Sequence, residues 1–395
     1  MQPISAPERI ETAPSAGFMQ RQFLDYRVPV NLNAFWSFGL LVAFSLAVLT
    51  VTGIWLSLYY VPGPRQAFDS IQYILRNVPF GWLIRDLHLD GTTMLFGAVY
   101  IELFRGIYYG TYRNGRSAVW LLEVLRFFLL LCTGFFGFVM VFGAASYASL
   151  MIMAAHLGAL GRILLAGYGV NPATMPRIET LHLLAGLLAL GVAAVGFAAS
   201  RAAGTANPDG IPAVGEADRI PLHPYYTMRA LFALVVFMFI FAIIFTFQPN
   251  FAGLHEAAPG TPALALPIDP LPPWYMLGFH GLARAAGSFG FGTFLTILAF
   301  LLLAALPWLD RGTVASCRYR PSYRGFVWVL ALDWILLSFG AALPPTHIAT
   351  IICEAATIYF FLHFIIITPL VTGFGRTRPV PPRPGMRRFI RTEQV

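Results

Sequence analysis

Apolar residues run almost unbroken through eight stretches of the chain, near 34–60, 84–108, 118–143, 178–199, 229–248, 289–308, 325–343 and 348–371. Each is roughly 20 residues or longer, enough to cross about 30 Å of hydrocarbon at about 1.5 Å per helical residue. Backbone facing lipid finds no water to bond, so every stretch is predicted to be a helix that closes its own hydrogen bonds. The expectation is an all-α, polytopic membrane bundle of about eight transmembrane helices.

The polar positions divide that bundle. Residues 1–33 read as a cytoplasmic N-terminal segment, 34–200 as a four-helix domain, 201–228 as a cytoplasmic linker, 229–372 as a second membrane domain and 373–395 as a basic cytoplasmic tail. Two connections are longer than the rest. Residues 144–177 look amphipathic, and 249–287 are rich in Pro, Gly and Ala. Both fall on the outer side, where a binding surface can be built.

Composition agrees with the pattern. The chain is 57% hydrophobic and 11% charged, with a mean hydropathy of +0.69, which excludes a soluble globular protein of this length. All 26 basic residues are arginine. With the N-terminus in the cytoplasm, nineteen arginines fall on inner segments and six on outer ones, Arg65, Arg76, Arg85, Arg162, Arg177 and Arg284. That positive-inside bias predicts both termini in the cytoplasm. The net charge of +8 then expresses topology, and a nucleic-acid partner is not expected. The first 30 residues lack the apolar core of a cleavable signal, so the first span is expected to direct insertion. Cys132, Cys317 and Cys353 stand alone, with no CxxC or CxxCH spacing, and read as packing residues.

Ionisable groups inside membrane helices are costly, which makes His88 on the second span and His182 on the fourth candidates for chemistry. Two neutral imidazoles on facing helices can clamp a heme iron between them; each can equally be a hydrogen-bonded core histidine. Gly39 and Gly53 on the first span are 14 residues apart, as are Glu123 and Gly137 on the third. Four helical turns return each pair to nearly one face. Glycines there admit a flat macrocycle or a close helix–helix contact.

With these positions stand longer motifs: FGWLIRDLHLDGTTMLFGAVYIELFRGIYYGTY (80–112), NPATMPRIETLHLL (171–184), HPYYTMRALF (223–232), DPLPPWYMLGFHGLAR (269–284) and the helix pair at 307–351. In this order and spacing the chain resembles the cytochrome b subunit of cytochrome bc complexes, from about residue 25 to 372. The resemblance implies two b hemes stacked across the membrane, each held by one histidine from the second helix and one from the fourth. Here the outer pair matches at His88 and His182, with Arg85 at the propionate position and Gly53 and Gly137 as the glycines beside that heme. The positions 14 residues on are Glu102 and Gly196, and the inner-heme glycine of the third helix is Glu123. Neither Glu102 nor Gly196 replaces an imidazole, so one heme b is expected. Glu123 and Arg126 share a helix face at i and i+3. With Glu102 they are expected to fill the vacated inner level as a carboxylate–arginine cluster, unless Glu123 and Arg126 snorkel to the interface.

The quinone sites implied by the family are also altered. Its outer Pro-Glu-Trp-Tyr motif reads Pro272-Pro273-Trp274-Tyr275, so Pro273 stands where the glutamate would handle a proton, and Trp274 and Tyr275 remain as interface aromatics. His280 offers an alternative titratable group, or simple packing. The histidine and aspartate of the inner site correspond to Arg201 and Ala230. Quinone binding is left open, and a complete Q-cycle is not supported.

The favoured expectation is therefore a membrane electron-transfer subunit with a single heme near the outer face, in a diverged respiratory or photosynthetic complex of a bacterial-type inner membrane. By resemblance its partners are a Rieske-type iron–sulfur protein, a c-type cytochrome and a second copy of the chain. Two alternatives stand beside it: a working quinol:cytochrome c oxidoreductase with altered quinone sites, and a heme-free scaffold. Glu179, Asp333 and Glu354 read as polar contacts between helices. His156, His223, His255, His347 and His363 are assigned no ligand role.

Overall fold

The computed structural model describes Gly17, residues 25–248 and residues 270–386. Seven described helices are long and apolar enough to cross a membrane. They are α1 (Ala34–Ser57), α4 (Ser117–Met140), α7 (Thr174–Ala202), α8 (Thr227–Phe247), α10 (Phe289–Leu309), α11 (Pro321–Ala342) and α12 (His347–Phe374). The remaining expected span is α3 (Gly81–Tyr109), 29 residues long. Its length suffices for a crossing, but Arg85, Asp86, Asp90, Glu102 and Arg105 lower its hydropathy. Polar residues concentrate on this helix because its buried face carries the site described below.

Caps explain where several helices begin and end. Ser288 accepts from the Phe291 amide at 3.4 Å and Thr346 from the Ala349 amide at 3.3 Å, each satisfying a donor that the first turn leaves open. Pro321 opens α11, where its missing N–H costs nothing. Gly110 closes α3 at φ +61°, and a Cβ there would lie 2.4 Å from the Ala315 carbonyl oxygen, so only glycine fits.

Five shorter elements lie outside the eight apolar runs. The helix α2 (Gln66–Asn77) buries Ala67, Ser70 and Ile74 on one face, a 3, 4 spacing too short and too polar to register as a span. The outer segment 144–177 contains α5 (Ala144–Leu157) and α6 (Ala159–Leu165). Two short strands, β1 (Arg27–Pro29) and β2 (Arg219–Pro221), pair antiparallel and tie the N-terminal segment to the linker. The linker is itself packed. Asp209 is 1% exposed and accepts from Asn31 at 2.6 Å and from the Tyr319 hydroxyl at 2.8 Å.

The four N-terminal spans pack as two pairs, α1 along α3 and α4 along α7. A short helix α9 (Leu277–Ala285) packs on α11 and α12. Within α8 only Phe241 is buried, as expected for a helix that meets lipid on most sides. On the loop side of α10 and α11, Asp310 joins the halves: it accepts from Arg320 at 2.8 and 2.9 Å and from the Tyr112 hydroxyl at 2.7 Å. Beside it Cys317 is fully buried, and burial pushes its thiol up to about 12. The outer loop expected over 249–287 falls partly outside the described residues, as do His255 and the last arginines of the tail.

Candidate functional site

Helices α3 and α7 bring His88 and His182 together. Their ring centroids lie 6.3 Å apart and the ring planes cross at 67°. Each imidazole is oriented through Nδ1. The Thr52 hydroxyl donates its proton to the Val48 carbonyl at 2.8 Å, which leaves its oxygen to accept from His88 Nδ1 at 3.0 Å. His182 Nδ1 lies 2.9 Å from the Thr133 carbonyl, which can only accept. Both Nδ1 atoms therefore carry the proton, and both Nε2 atoms keep a free lone pair, the ligating tautomer.

Gly53 and Gly137 stand directly behind these rings. A Cβ at Gly53 would lie 3.0 Å from His88 Cε1, and one at Gly137 would lie 2.9 Å from His182 Cε1. The glycines thus make room for the imidazoles themselves, a tighter role than the macrocycle clearance expected from the sequence. Thr52 and Thr133, which hold the rings, were missed by sequence reasoning. The available signal was their place one and four residues before those glycines. Arg85 forms an ion pair with Asp86 at 3.1 Å, another partner the sequence did not suggest.

Among the described residues, no cluster of three or more His, Cys, Asp or Glu side chains could chelate a bare ion. Two opposed imidazoles suit a metal that brings its remaining ligands with it. A metal bonds imidazole nitrogen at about 2.0–2.1 Å, and that nitrogen lies about 1.1 Å from its ring centroid, so two axial imidazoles place their centroids roughly 6 Å apart. The observed 6.3 Å matches that requirement.

The inner level is built differently. Glu102 on α3 faces Gly39 on α1, where a Cβ would lie 3.6 Å from Glu102 Oε1. Arg126 of α4 binds Glu102 Oε2 at 2.5 Å, and Arg105 approaches Oε1 at 3.7 Å. The side chains of Glu102 and Arg126 are 7% and 14% exposed, so Arg126 points into the bundle and does not snorkel. Arg126 hydrogen-bonds Glu102, while its i−3 neighbour Glu123, whose buried Oε2 has no hydrogen-bond partner, feels Arg126 only through its charge. A Cβ at Gly196 would meet Leu122 Cβ at 3.8 Å, an ordinary helix contact.

The positions matched to quinone sites are packed. Tyr275 is 4% exposed, stacks on Phe96 at 4.0 Å and 8°, and its carbonyl accepts from the Tyr100 hydroxyl at 2.6 Å. Trp274 donates to Thr93 at 3.1 Å. Tyr275 belongs to the bundle interior, which corrects the expectation of an interface residue, while Trp274 is half-buried; the hydropathy pattern could not distinguish the two environments. Pro273 is buried, and its carbonyl accepts from the Met276 amide at 2.8 Å. His280 is half-buried on α9. Arg201 lays its guanidinium 3.8 Å from the Tyr26 ring and 4.9 Å from Phe197. Ala230 is half-buried on α8, next to Arg229, which donates to the Leu32 carbonyl at 3.0 Å.

The chain is similar to known proteins. Residues 23–204 match the family described as Cytochrome b/b6/petB, and residues 262–361 match Cytochrome b(C-terminal)/b6/petD. Cytochrome b of Rhodospirillum rubrum is 35% identical over 378 residues, spanning 94% of this chain and 93% of that protein. Cytochrome b of Rickettsia typhi is 32% identical over 368 residues, spanning 91% and 92%. A chain of a hyperthermophilic respiratory complex III superposes with a TM-score of 0.81 at 28% identity, over 92% of this chain and 97% of its own. With both halves matched in order and relatives aligned over nearly their full length, this chain belongs to the cytochrome b family, as a multi-pass electron-transfer subunit of the bc type.

Proposed function

We propose that this chain holds a single bis-histidine heme b near the outer membrane face, with His88 and His182 as axial ligands, and that it exchanges electrons only with partners on that side. The observation that carries the reading is the pair of imidazoles whose centroids lie 6.3 Å apart, each with its Nδ1 held by an acceptor. Bound there, the heme supplies a one-electron carrier whose potential responds to its axial ligands and their hydrogen bonds. Thr52 and the Thr133 carbonyl orient the rings and hold the ligating tautomer. Gly53 and Gly137 keep the backbone clear of the imidazoles. Arg85, whose Asp86 partner can release it, serves a propionate.

The inner level does not fit a second heme. Glu102 and Gly196 offer no imidazole, and the Glu102–Arg126 pair occupies the space between the helices. Removing a macrocycle without replacement leaves a cavity that destabilises the bundle, and a paired carboxylate and guanidinium offset that loss. Fourteen residues along α3 separate the levels by about 21 Å. Electron transfer is confined to the outer face because Glu102 and Gly196 supply no imidazole at the inner one. Positions Pro273, Arg201 and Ala230 lack acid–base groups, which argues against a complete Q-cycle.

In this reading residues 34–200 are the electron-carrying domain and 229–372 complete the membrane frame. The arginine bias supports cytoplasmic termini in a bacterial-type inner membrane. Partners are a Rieske-type iron–sulfur protein or a c-type cytochrome on the outer side and a second copy of the chain, as the relationship to a complex III chain supports. Replacing His88 or His182 with Ala tests the assignment. Each variant is expected to lose the b-type reduced-minus-oxidised band, whereas His363→Ala keeps it; a band that survives both ligand changes overturns it.

A further inference from the structure

Asp333 stands near the middle of α11, a helix of 22 residues that begins at Pro321. At about 1.5 Å per residue that is about 18 Å along a span of about 33 Å, so the carboxyl lies at mid-bilayer depth. Asp333 is 7% exposed, yet among the described residues no hydrogen bond or ion pair reaches it. Oδ2 is enclosed without a partner; Oδ1 is not enclosed, and nothing bonds it either. The Tyr359 hydroxyl of the facing helix α12 serves the Phe326 carbonyl instead, at 3.0 Å. The polar contact expected of Asp333 from the sequence is therefore not made within this chain.

The open side of this carboxyl is a groove of about 450 Å³, in which Asp333 is the only polar residue. The other lining residues, Val329, Leu332, Ile335, Leu336 and Phe339, are 45–64% exposed, so the groove lies on the outside of the bundle. Positions 329, 332, 333 and 336 follow the i, i+3, i+4, i+7 spacing of a single helix face. A groove along one helix receives the side-chain ridge of a second helix laid beside it.

A carboxyl group at this depth is costly until it is paired. Lipid does not supply the pair, because a cationic head group stays at the interface, about 15 Å from the bilayer centre. A second copy of the chain does not supply it either. The chain has no lysine, and Arg126, the arginine deepest within a described span, is bound to Glu102.

We propose that this face of α11 docks a transmembrane helix of a different subunit, and that the incoming helix carries an arginine or lysine at mid-membrane depth to pair with Asp333. Each charge makes the other tolerable in hydrocarbon. Helix axes about 8–10 Å apart leave a long basic side chain within reach of the carboxylate. Leu332 and Leu336, one turn apart, pack against the apolar residues that flank the base.

The test uses the complex purified with its subunits, with the photo-reactive residue benzoylphenylalanine placed at Leu332 and, as a control on another exposed face, at Phe232. The Leu332 probe is expected to crosslink to one transmembrane peptide of another subunit with an arginine or lysine near its centre, and the Phe232 probe is not. The near-isosteric Asp333→Asn is expected to lower retention of that subunit at least about tenfold through purification, as loss of a buried charge pair does. Asp333→Arg is expected to abolish retention, and exchanging the partner's base for aspartate to restore it. An unchanged near-ultraviolet circular dichroism spectrum shows that each variant of this chain is folded. Crosslinks from Leu332 to lipid alone, to a second copy, or to a helix without a basic residue overturn the proposal, as does retention indifferent to Asp333→Asn.

Discussion

Arg126 on α4 reaches across to α3 and binds the Glu102 carboxylate at 2.5 Å, with both side chains largely buried. The pair stands where the family resemblance leads one to look for an inner-heme histidine. Breaking a buried pair from one side strands the other charge, which costs about 3–5 kcal/mol, whereas replacing both with apolar residues is often neutral. Arg126→Leu is therefore expected to lower the thermal unfolding midpoint sharply, and Glu102→Leu with Arg126→Leu to recover most of the loss. A double variant no more stable than the single one contradicts the pairing.

Gly137→Ala puts a methyl 2.9 Å from His182 Cε1, and Gly53→Ala puts one 3.0 Å from His88 Cε1. Both are expected to reduce heme retention or shift the b-type band. Gly191→Ala, where nothing lies within 4 Å of the new Cβ, is the matched control and is expected to change neither. Heme content and band position measured on the three purified variants check this.

Thr52 accepts a hydrogen bond from His88 Nδ1 at 3.0 Å; if His88 holds heme iron as proposed, that bond would make the imidazole a stronger donor and favour the oxidised state. Thr52→Val removes this acceptor with little change of shape and leaves the Leu49 carbonyl as the imidazole's other acceptor. The midpoint potential is expected to rise by roughly tens of millivolts, with Thr52→Ser close to the parent. A redox titration that finds Thr52→Val unchanged removes Thr52 from the positioning role.

Cys317 is fully buried and its thiol is pushed up to about 12. At pH 8 only about one thiol in ten thousand is then ionised. Iodoacetamide is expected to leave Cys317 unmodified in the native protein and to alkylate it once the chain is unfolded. In native protein, slow labelling should increase as pH rises toward 12. Peptide mass analysis reads both states.

Much of the frame was legible because hydrophobic runs measure the bilayer directly. The run over 84–108 and the helix Gly81–Tyr109 are the same element, although its charges place it below the hydropathy of the other spans. His88 and His182 were legible because ionisable groups in such runs are rare. Thr52, the Thr133 carbonyl and Asp86 were not, since a hydroxyl or carbonyl acquires its role from a contact that periodicity does not encode. Glu102 and Arg126 were legible as members of an inner carboxylate–arginine cluster, whereas which carboxylate Arg126 binds depends on a contact between two helices that periodicity does not encode. Tyr275 was misread for a related reason: an aromatic beside a loop suits either an interface or a packed interior, and only the stack on Phe96 decides between them.

The central claim is one heme per chain. Pyridine hemochrome absorbance on the purified complex, divided by this chain's concentration from amino-acid analysis, tests it most directly. A ratio of one is expected, lost when His182 is replaced by Ala; a ratio of two overturns the single-heme assignment.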